Sequence, residues 1–270
     1  MRRTYRSQNP HEYWNSRWDS VDFDAPMQNS NKYPLSCSLD ILDGYPVKDA
    51  YILEAGCGTG RILRYLHDRG YNIVGIDFIK TAIDKIHSLN LNLKAEFGDI
   101  TNLRFKKNTF THVLSFGLYH NFEVEPMKIA LVETHRVLQP GGFLCASFRA
   151  DNLQNYLIDK FFSSRLGLKK KSKDYKSLVF HKINLTYNEI DNIFKNSGFE
   201  VLKIYTTDNM PLLYKIKFFR NKSQKEFNEN IARRDGYSLN IFGRYITNIL
   251  KKFFPNQFCS LYVVIAKKNI

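Results

Sequence analysis

The stretch Tyr51-Ile52-Leu53-Glu54-Ala55-Gly56-Cys57-Gly58-Thr59-Gly60, followed by a helical pattern opening at Arg61, constrains this chain more than any other feature. An apolar run, a glycine-rich turn and then a helix make a place where backbone N–H groups can approach a ligand closely. Glycine is needed there because a Cβ would block the approach or forbid the backbone angles. Read alone, the segment also fits an ordinary strand-to-helix turn. Its spacing, Gly56-x-Gly58-x-Gly60, is not the Gly-x-Gly-x-x-Gly of dinucleotide-binding folds, which makes a nicotinamide enzyme a poor reading.

The residues that follow narrow the choice. Asn72-Ile73-Val74-Gly75-Ile76-Asp77 reads as a second short buried strand ending in an acid, and Phe78 follows it. A carboxylate at such a strand tip can accept both hydroxyls of a ribose and repels a 2′-phosphate. Leu93 to Phe97 leads into Gly98-Asp99-Ile100, a third strand with a terminal acid. Phe110 to Phe116 gives a fourth strand. Arg136 to Leu138 closes a helix, and the chain turns on Pro140-Gly141-Gly142 into a fifth strand. Taken together, across residues 50–150, these segments resemble the class I S-adenosylmethionine-dependent methyltransferases, of the kind acting on small molecules and glycans.

That resemblance implies a Rossmann-like, doubly wound α/β sheet of seven strands, the last antiparallel, carrying helical insertions. It implies S-adenosyl-L-methionine as cofactor, with Glu54 orienting its amino group, Asp77 its ribose and Asp99 its adenine. Gly56, Cys57, Gly58, Gly60, Arg61, Phe78, Gly98, Ile100 and Phe116 complete the expected cofactor set. No metal site can be assembled from the sequence.

Charge separates the two parts of the chain. Residues 1–159 hold 18 Lys/Arg and 18 Asp/Glu, whereas residues 160–270 hold 22 and 8, so the whole excess of +14 lies in the second part. A basic face attracts nucleic acid, anionic lipid or a phosphorylated substrate, although a Lys-rich solvated surface has the same composition. Cys37, Cys57, Cys145 and Cys259 show no paired spacing, so neither a disulfide framework nor a zinc site is expected. Without a signal-like or bilayer-length apolar run, the expected location is the cytoplasm, with peripheral attachment at the inner face of the membrane as an option.

Four regions are expected: a helical cap over 1–45, a cofactor-binding core over 46–150, a basic helical insert over 151–185, and 186–270 as the end of the sheet. Residues 1–10 read as disordered. His11 to Trp18 and Pro34 to Leu42 read as short helices; the resemblance implies that such a pair folds over the cofactor mouth, and packing on the sheet edge accounts for Trp14 and Trp18 equally well. Leu153 to Lys176 reads as an aromatic helix ending in the run Lys169-Lys170-Lys171-Ser172-Lys173. Thr186-Tyr187-Asn188-Glu189 is a capping box. Within the insertion at about 208–257, Leu239 to Phe254 places Phe242, Tyr245, Ile246, Ile249, Leu250, Phe253 and Phe254 on one side at helical spacing. This helix either packs that side on the core or lies at an apolar–anionic boundary.

Methyl transfer asks for an in-line nucleophile and sometimes a base. After the fourth strand, Tyr119-His120 resembles the His-His or Leu-His pair of many small-molecule members, and His120 is the best general-base candidate. A structural His holding the loop fits equally well, and His112 and His181 are read as structural. The chain lacks the Asn/Asp-Pro-Pro-aromatic, Pro-Cys and paired-Glu signatures of methyltransferases for base amines, cytosine carbon and arginine. The expected function is O- or N-methylation of a small molecule, a sugar or a lipid-linked glycan. RNA modification or binding, and a non-catalytic cofactor-binding regulator, are the alternatives. Oligomeric state is not legible.

Overall fold

The computed structural model describes residues 1–21, 32–89, 92–162, 178–228, 231–232 and 235–269. Its centre is a seven-stranded sheet. The strands are β2 (Tyr51–Ala55), β3 (Asn72–Asp77), β4 (Lys94–Phe97), β5 (Phe110–Ser115), β6 (Leu138–Arg149), β8 (Phe199–Thr207) and β9 (Leu261–Lys268). They lie in the order β4-β3-β2-β5-β6-β9-β8, parallel from β4 to β6, with β9 antiparallel to both of its neighbours. The chain winds outward from β2 to β4 and then returns to β5. The strand order therefore reverses between β2 and β5, and a crevice opens at their carboxyl ends.

Each face of the sheet has its own core, and strand alternation assigns residues to them. In β2, Ile52 joins one cluster and Leu53 the other. The first face is covered by α2 (Leu35–Leu42), α3 (Arg61–His67) and α4 (Lys80–Ser88), which contribute Leu42, Leu63, Leu66 and Ile86. The second is covered by α5 (Val124–Val137) and α7 (Tyr187–Asn196), through Met127, Leu131, Ile190 and Phe194. The capping box opens α7 as expected: the Thr186 side chain accepts from the Glu189 N–H, and Glu189 accepts from the Thr186 N–H at 2.8 Å.

Two expectations are corrected. Residues 1–10 are not disordered: β1 (Arg2–Arg6) pairs antiparallel with β7 (Val179–Asn184), and α1 (Pro10–Ser20) follows at once. The partner strand lies some 180 residues downstream, so no local pattern in a five-residue polar segment could announce it. The region 151–185 is not simply helical, since it holds α6 (Leu153–Leu157), a π-helical turn over Ile158–Phe162 and then β7. The Lys169–Lys173 run lies outside the described residues.

Of the two placements open for the amphipathic helix, α8 (Ile241–Phe253) does not take the first: it leaves most of its apolar side off the core. Gly243 and Thr247 face inward instead, and a Cβ on Gly243 would come within 3.0 Å of the Phe219 carbonyl. Ile246 and Leu250 are half-buried, whereas Phe242, Tyr245, Ile249, Phe253 and Phe254 are exposed. Small residues win the interface because they let the helix approach the backbone turn closely. Among the described residues, no helix is long and apolar enough to cross a membrane.

Candidate active site

The glycine turn is held from below by the neighbouring strand. The N–H groups of Gly56 and Cys57 both donate to the Ile76 carbonyl at 2.9 Å, and the Gly58 N–H donates to Asp77 Oδ2 at 2.8 Å. Gly56 and Gly58 have φ of +75° and +54°, a left-handed backbone that side-chain-bearing residues rarely adopt. Gly58 is also the floor for Trp18, since a Cβ there would meet the indole at 2.7 Å. Trp14 and Trp18 stack at 5.7 Å, and both line the crevice as part of α1.

The crevice is a cavity of about 1400 Å³. Single-ligand pockets commonly occupy ~300–1,000 Å³, so it has room for two molecules side by side. Its two ends differ chemically. Glu54, Asp77 and Asp99 line the glycine-loop end. Glu54 is buried, its Oε2 accepts from the Leu63 N–H at 2.8 Å, and burial pushes its carboxyl up to about 8. Asp77 is buried too and bridges the Gly58 and Ile79 N–H groups, the second at 2.9 Å; burial raises it, and those bonds counter the rise. Asp99 Oδ1 accepts from the Thr101 N–H and hydroxyl, both at 2.8 Å.

The opposite end is basic. Arg149 at the end of β6, Lys182 on β7 and Lys215 in a 3-10 turn (Leu212–Lys215) all line it, with His120 from the turn Tyr119–Asn121 after β5. Asp159 makes two 2.8 Å bonds to the Arg149 guanidinium and a 2.6 Å bond to Arg2. His120 is buried, and its Nδ1 has no hydrogen-bond partner. Burial first, then the charges of Lys182 and Arg149, hold it well below the usual imidazole range, so it is neutral at physiological pH.

A methyltransferase-domain family model matches residues 52–142, the span from the first core strand through the Pro-Gly-Gly turn. An uncharacterized methyltransferase of Schizosaccharomyces pombe is 37% identical over 112 residues, covering 39% of this chain and 76% of that protein. The chain belongs to the class I S-adenosylmethionine-dependent methyltransferases. A probable tRNA methyltransferase 9B of Homo sapiens is 33% identical over 110 residues, covering 40% of this chain and 23% of that protein. Among solved structures, a S-adenosylmethionine-dependent methyltransferase of Methanosarcina mazei superposes with a TM-score of 0.57 at 17% identity, covering 85% of this chain and 97% of that one.

S-adenosylmethionine is the cofactor of this methyltransferase, and the glycine-loop end fits it: close backbone approach, a buried carboxyl and two further acids on successive strand tips. Of the twelve residues expected from the sequence to meet the cofactor, ten line the cavity. Gly58 and Gly60 do not. Gly58 lies under Trp18, and a Cβ on Gly60 would press on Ile86 of α4 at 3.0 Å, so Gly60 serves helix packing. Of the two catalytic candidates, His120 lines the cavity and Tyr119 is corrected. Tyr119 is fully buried in the second core, stacks on Phe148 at 5.6 Å and shares a 2.7 Å hydrogen bond with the Thr134 hydroxyl. Its apolar ring fills space beneath the turn that carries His120.

Lys182, Lys215 and Arg149 were not singled out by sequence reading. For Lys182 and Lys215 the basic bias of the second part of the chain is the only signal, and it does not say which cations turn inward; Arg149, in the charge-balanced first part, has none. His112 and His181, read as structural, differ in setting. His112 is sealed between Phe143 and Tyr45, and His181 sits against Tyr13.

Proposed function

We propose that this methyltransferase transfers a methyl group to an oxygen or nitrogen of a small-molecule, sugar or lipid-linked glycan acceptor seated at the basic end of the cavity. One observation carries this reading: one continuous crevice joins the glycine loop to a second, chemically distinct end large enough for another molecule. When bound, the cofactor supplies an activated methyl on a sulfonium. The chain's own residues do the rest. Glu54 holds the amino group, Asp77 the ribose and Asp99 the adenine edge, with Gly56, Cys57, Arg61, Phe78, Gly98, Ile100 and Phe116 as walls. His120 receives the acceptor's proton: its imidazole is neutral and lines the cavity. Trp14 and Trp18 shield this end from water. The regions 1–45, 46–150, 151–185 and 186–270 then serve as cap, cofactor core, acceptor wall and sheet end.

The outward apolar side of α8 supports attachment to an anionic membrane surface. Tyr245 and Phe253 are each 65% exposed and Ile241 79%, with Arg244 and Lys252 exposed on the same helix. Burying such a row in a lipid interface removes apolar area from water, and each flanking cation adds about 1 kcal/mol. Tyr237, just before α8, lines the cavity, so the helix lies near its entrance. Flotation with phosphatidylglycerol vesicles checks this. Binding should be lost in Phe253→Glu/Phe254→Glu, and a dimer that dissociates with the same substitutions would replace the membrane by a second copy of the chain.

RNA modification is the second reading, supported by the likeness to the human tRNA methyltransferase relative and by the basic second part of the chain. Label from methyl-labelled cofactor, followed through cell extract separated into small molecules, lipids and RNA, decides between them. Incorporation into RNA alone would overturn the small-molecule and glycan reading.

A further inference from the structure

The basic end of the cavity has more cation than its own carboxylate can balance. Arg149, Lys182 and Lys215 face it from three separate elements, and Asp159 is already taken by Arg149 and Arg2. Among the described residues, neither Lys182 nor Lys215 has a carboxylate within ion-pair distance. Enclosed ammonium groups without counter-charge cost free energy unless a ligand supplies the charge. The excess of Lys182, Lys215 and Arg149 over Asp159 is two positive charges, the complement of a phosphate dianion. The other end of the same cavity carries Glu54, Asp77 and Asp99 beside Arg61, so it holds no comparable excess of cation.

We infer that Lys182, Lys215 and Arg149 form a subsite for a phosphate group on the methyl acceptor. The inference rests on the reading of that end as the acceptor site and names the acceptor's chemical class. Held there, the phosphate fixes the rest of the acceptor toward His120 and the glycine loop. The charge environment agrees. Burial pushes the Lys182 ammonium down to about 7, Arg149, Arg17 and Arg6 push the same way, and Asp159 opposes them. Burial also lowers Lys215, with Arg149 and Arg220 adding to the effect and Asp159 offsetting part of it. A bound dianion would restore both ammonium groups. It would also relieve the repulsion that keeps His120 weakly basic, so the acceptor itself would strengthen the base.

Calorimetry of pyrophosphate with the protein saturated in S-adenosylhomocysteine tests this without an acceptor. Saturable binding is expected, weakened at least about tenfold in Lys182→Gln and in Lys215→Gln, the scale of a lost charge-assisted bond. Lys48→Gln, an exposed site just before β2 at the amino end of the parallel strands, opposite the crevice, should leave it unchanged. No saturable binding, equal weakening in Lys48→Gln, or equal affinity for malonate would overturn the phosphate subsite. Lys182→Arg should retain pyrophosphate affinity, which separates charge loss from misfolding. Two carriers of the group are told apart by the same variants. Lys182-dependent affinity for a soluble sugar 1-phosphate assigns a free ester, and Lys182-dependent affinity for phosphatidic acid vesicles assigns a lipid headgroup. Failure to bind S-adenosylhomocysteine would count against the cofactor reading instead, and is measured separately.

Discussion

The two ends of the cavity are built on opposite plans. The glycine-loop end is drawn from one continuous part of the chain, residues 54–116, and carries acids buried against backbone N–H groups. The basic end is gathered from β6, β7 and the turn at Leu212–Lys215, together with the turn after β5, and two of its cations, Lys182 and Lys215, have no carboxylate at ion-pair distance among the described residues. The first end is complete as a scaffold: backbone donors fix every carboxylate in place. The second is complete only with a ligand. A methyltransferase that must accept one invariant cofactor and one particular acceptor gains from this division, because the acceptor wall can change without disturbing the cofactor loop.

Substitutions at each end should separate cleanly, and the largest effect falls at the basic end. His120→Ala should lower turnover about 10²-fold or more, the usual scale for a general base, with cofactor affinity little changed in calorimetry. Full activity would leave His120 as a holder of its turn. Asp77→Ala comes next. It removes a carboxylate that lines the cavity and bridges two N–H groups, and cofactor affinity should drop at least about tenfold. A Kd unchanged by this substitution would detach Asp77 from the ribose.

A smaller signal comes from Glu54. Burial places its folded-state pKa at about 8, so at pH 7 the cofactor-free carboxyl holds its proton. A bound ammonium favours the carboxylate, and binding at pH 7 should release that proton. Calorimetric enthalpies in buffers of different ionisation heat should therefore diverge for the wild type and coincide for Glu54→Gln. The linkage also has a sign. The folded state binds this proton more tightly than the unfolded chain, whose pKa is near 4.5. The stabilisation is thus full below 4.5 and is lost as pH rises through about 8. Glu54→Gln should remove that slope from the thermal stability of the cofactor-free protein. Smallest of all, Tyr119→Phe should cost about 1 kcal/mol through the lost bond to Thr134 and leave kcat and KM unchanged. A kinetic effect would return Tyr119 to the active site.

The same contrast explains what was legible in the sequence. The glycine turn, the acids at the ends of β3 and β4 and the capping box of α7 are local signals, because each depends on residues a few positions apart, and each was read in place. Lys182 was not, because its inward direction is set by β7 pairing with β1, a partner far away in the chain. The placement of α8 stayed open for another reason. Its apolar period was correct, but period says which residues share a side and not whether that side is covered. Gly243 and Thr247, small enough for close approach, decided the packing instead. Tyr119 was misplaced because adjacent residues of a 3-10 turn point in different directions, one into the core and one into the cavity.

The ribbon of β1 and β7 has a kinetic consequence. Its register joins Arg2 to Asn184 and Arg6 to Val179, so it closes a chain loop that contains most of the parallel sheet. Contacts between residues so distant in sequence form late, since closing a long loop costs entropy before any bond repays it. The glycine-loop end, made of neighbouring strands, can take shape first, and the wall bearing Lys182 arrives with the last closure. During refolding, the ability to hold the cofactor should return before the ability to hold an anion.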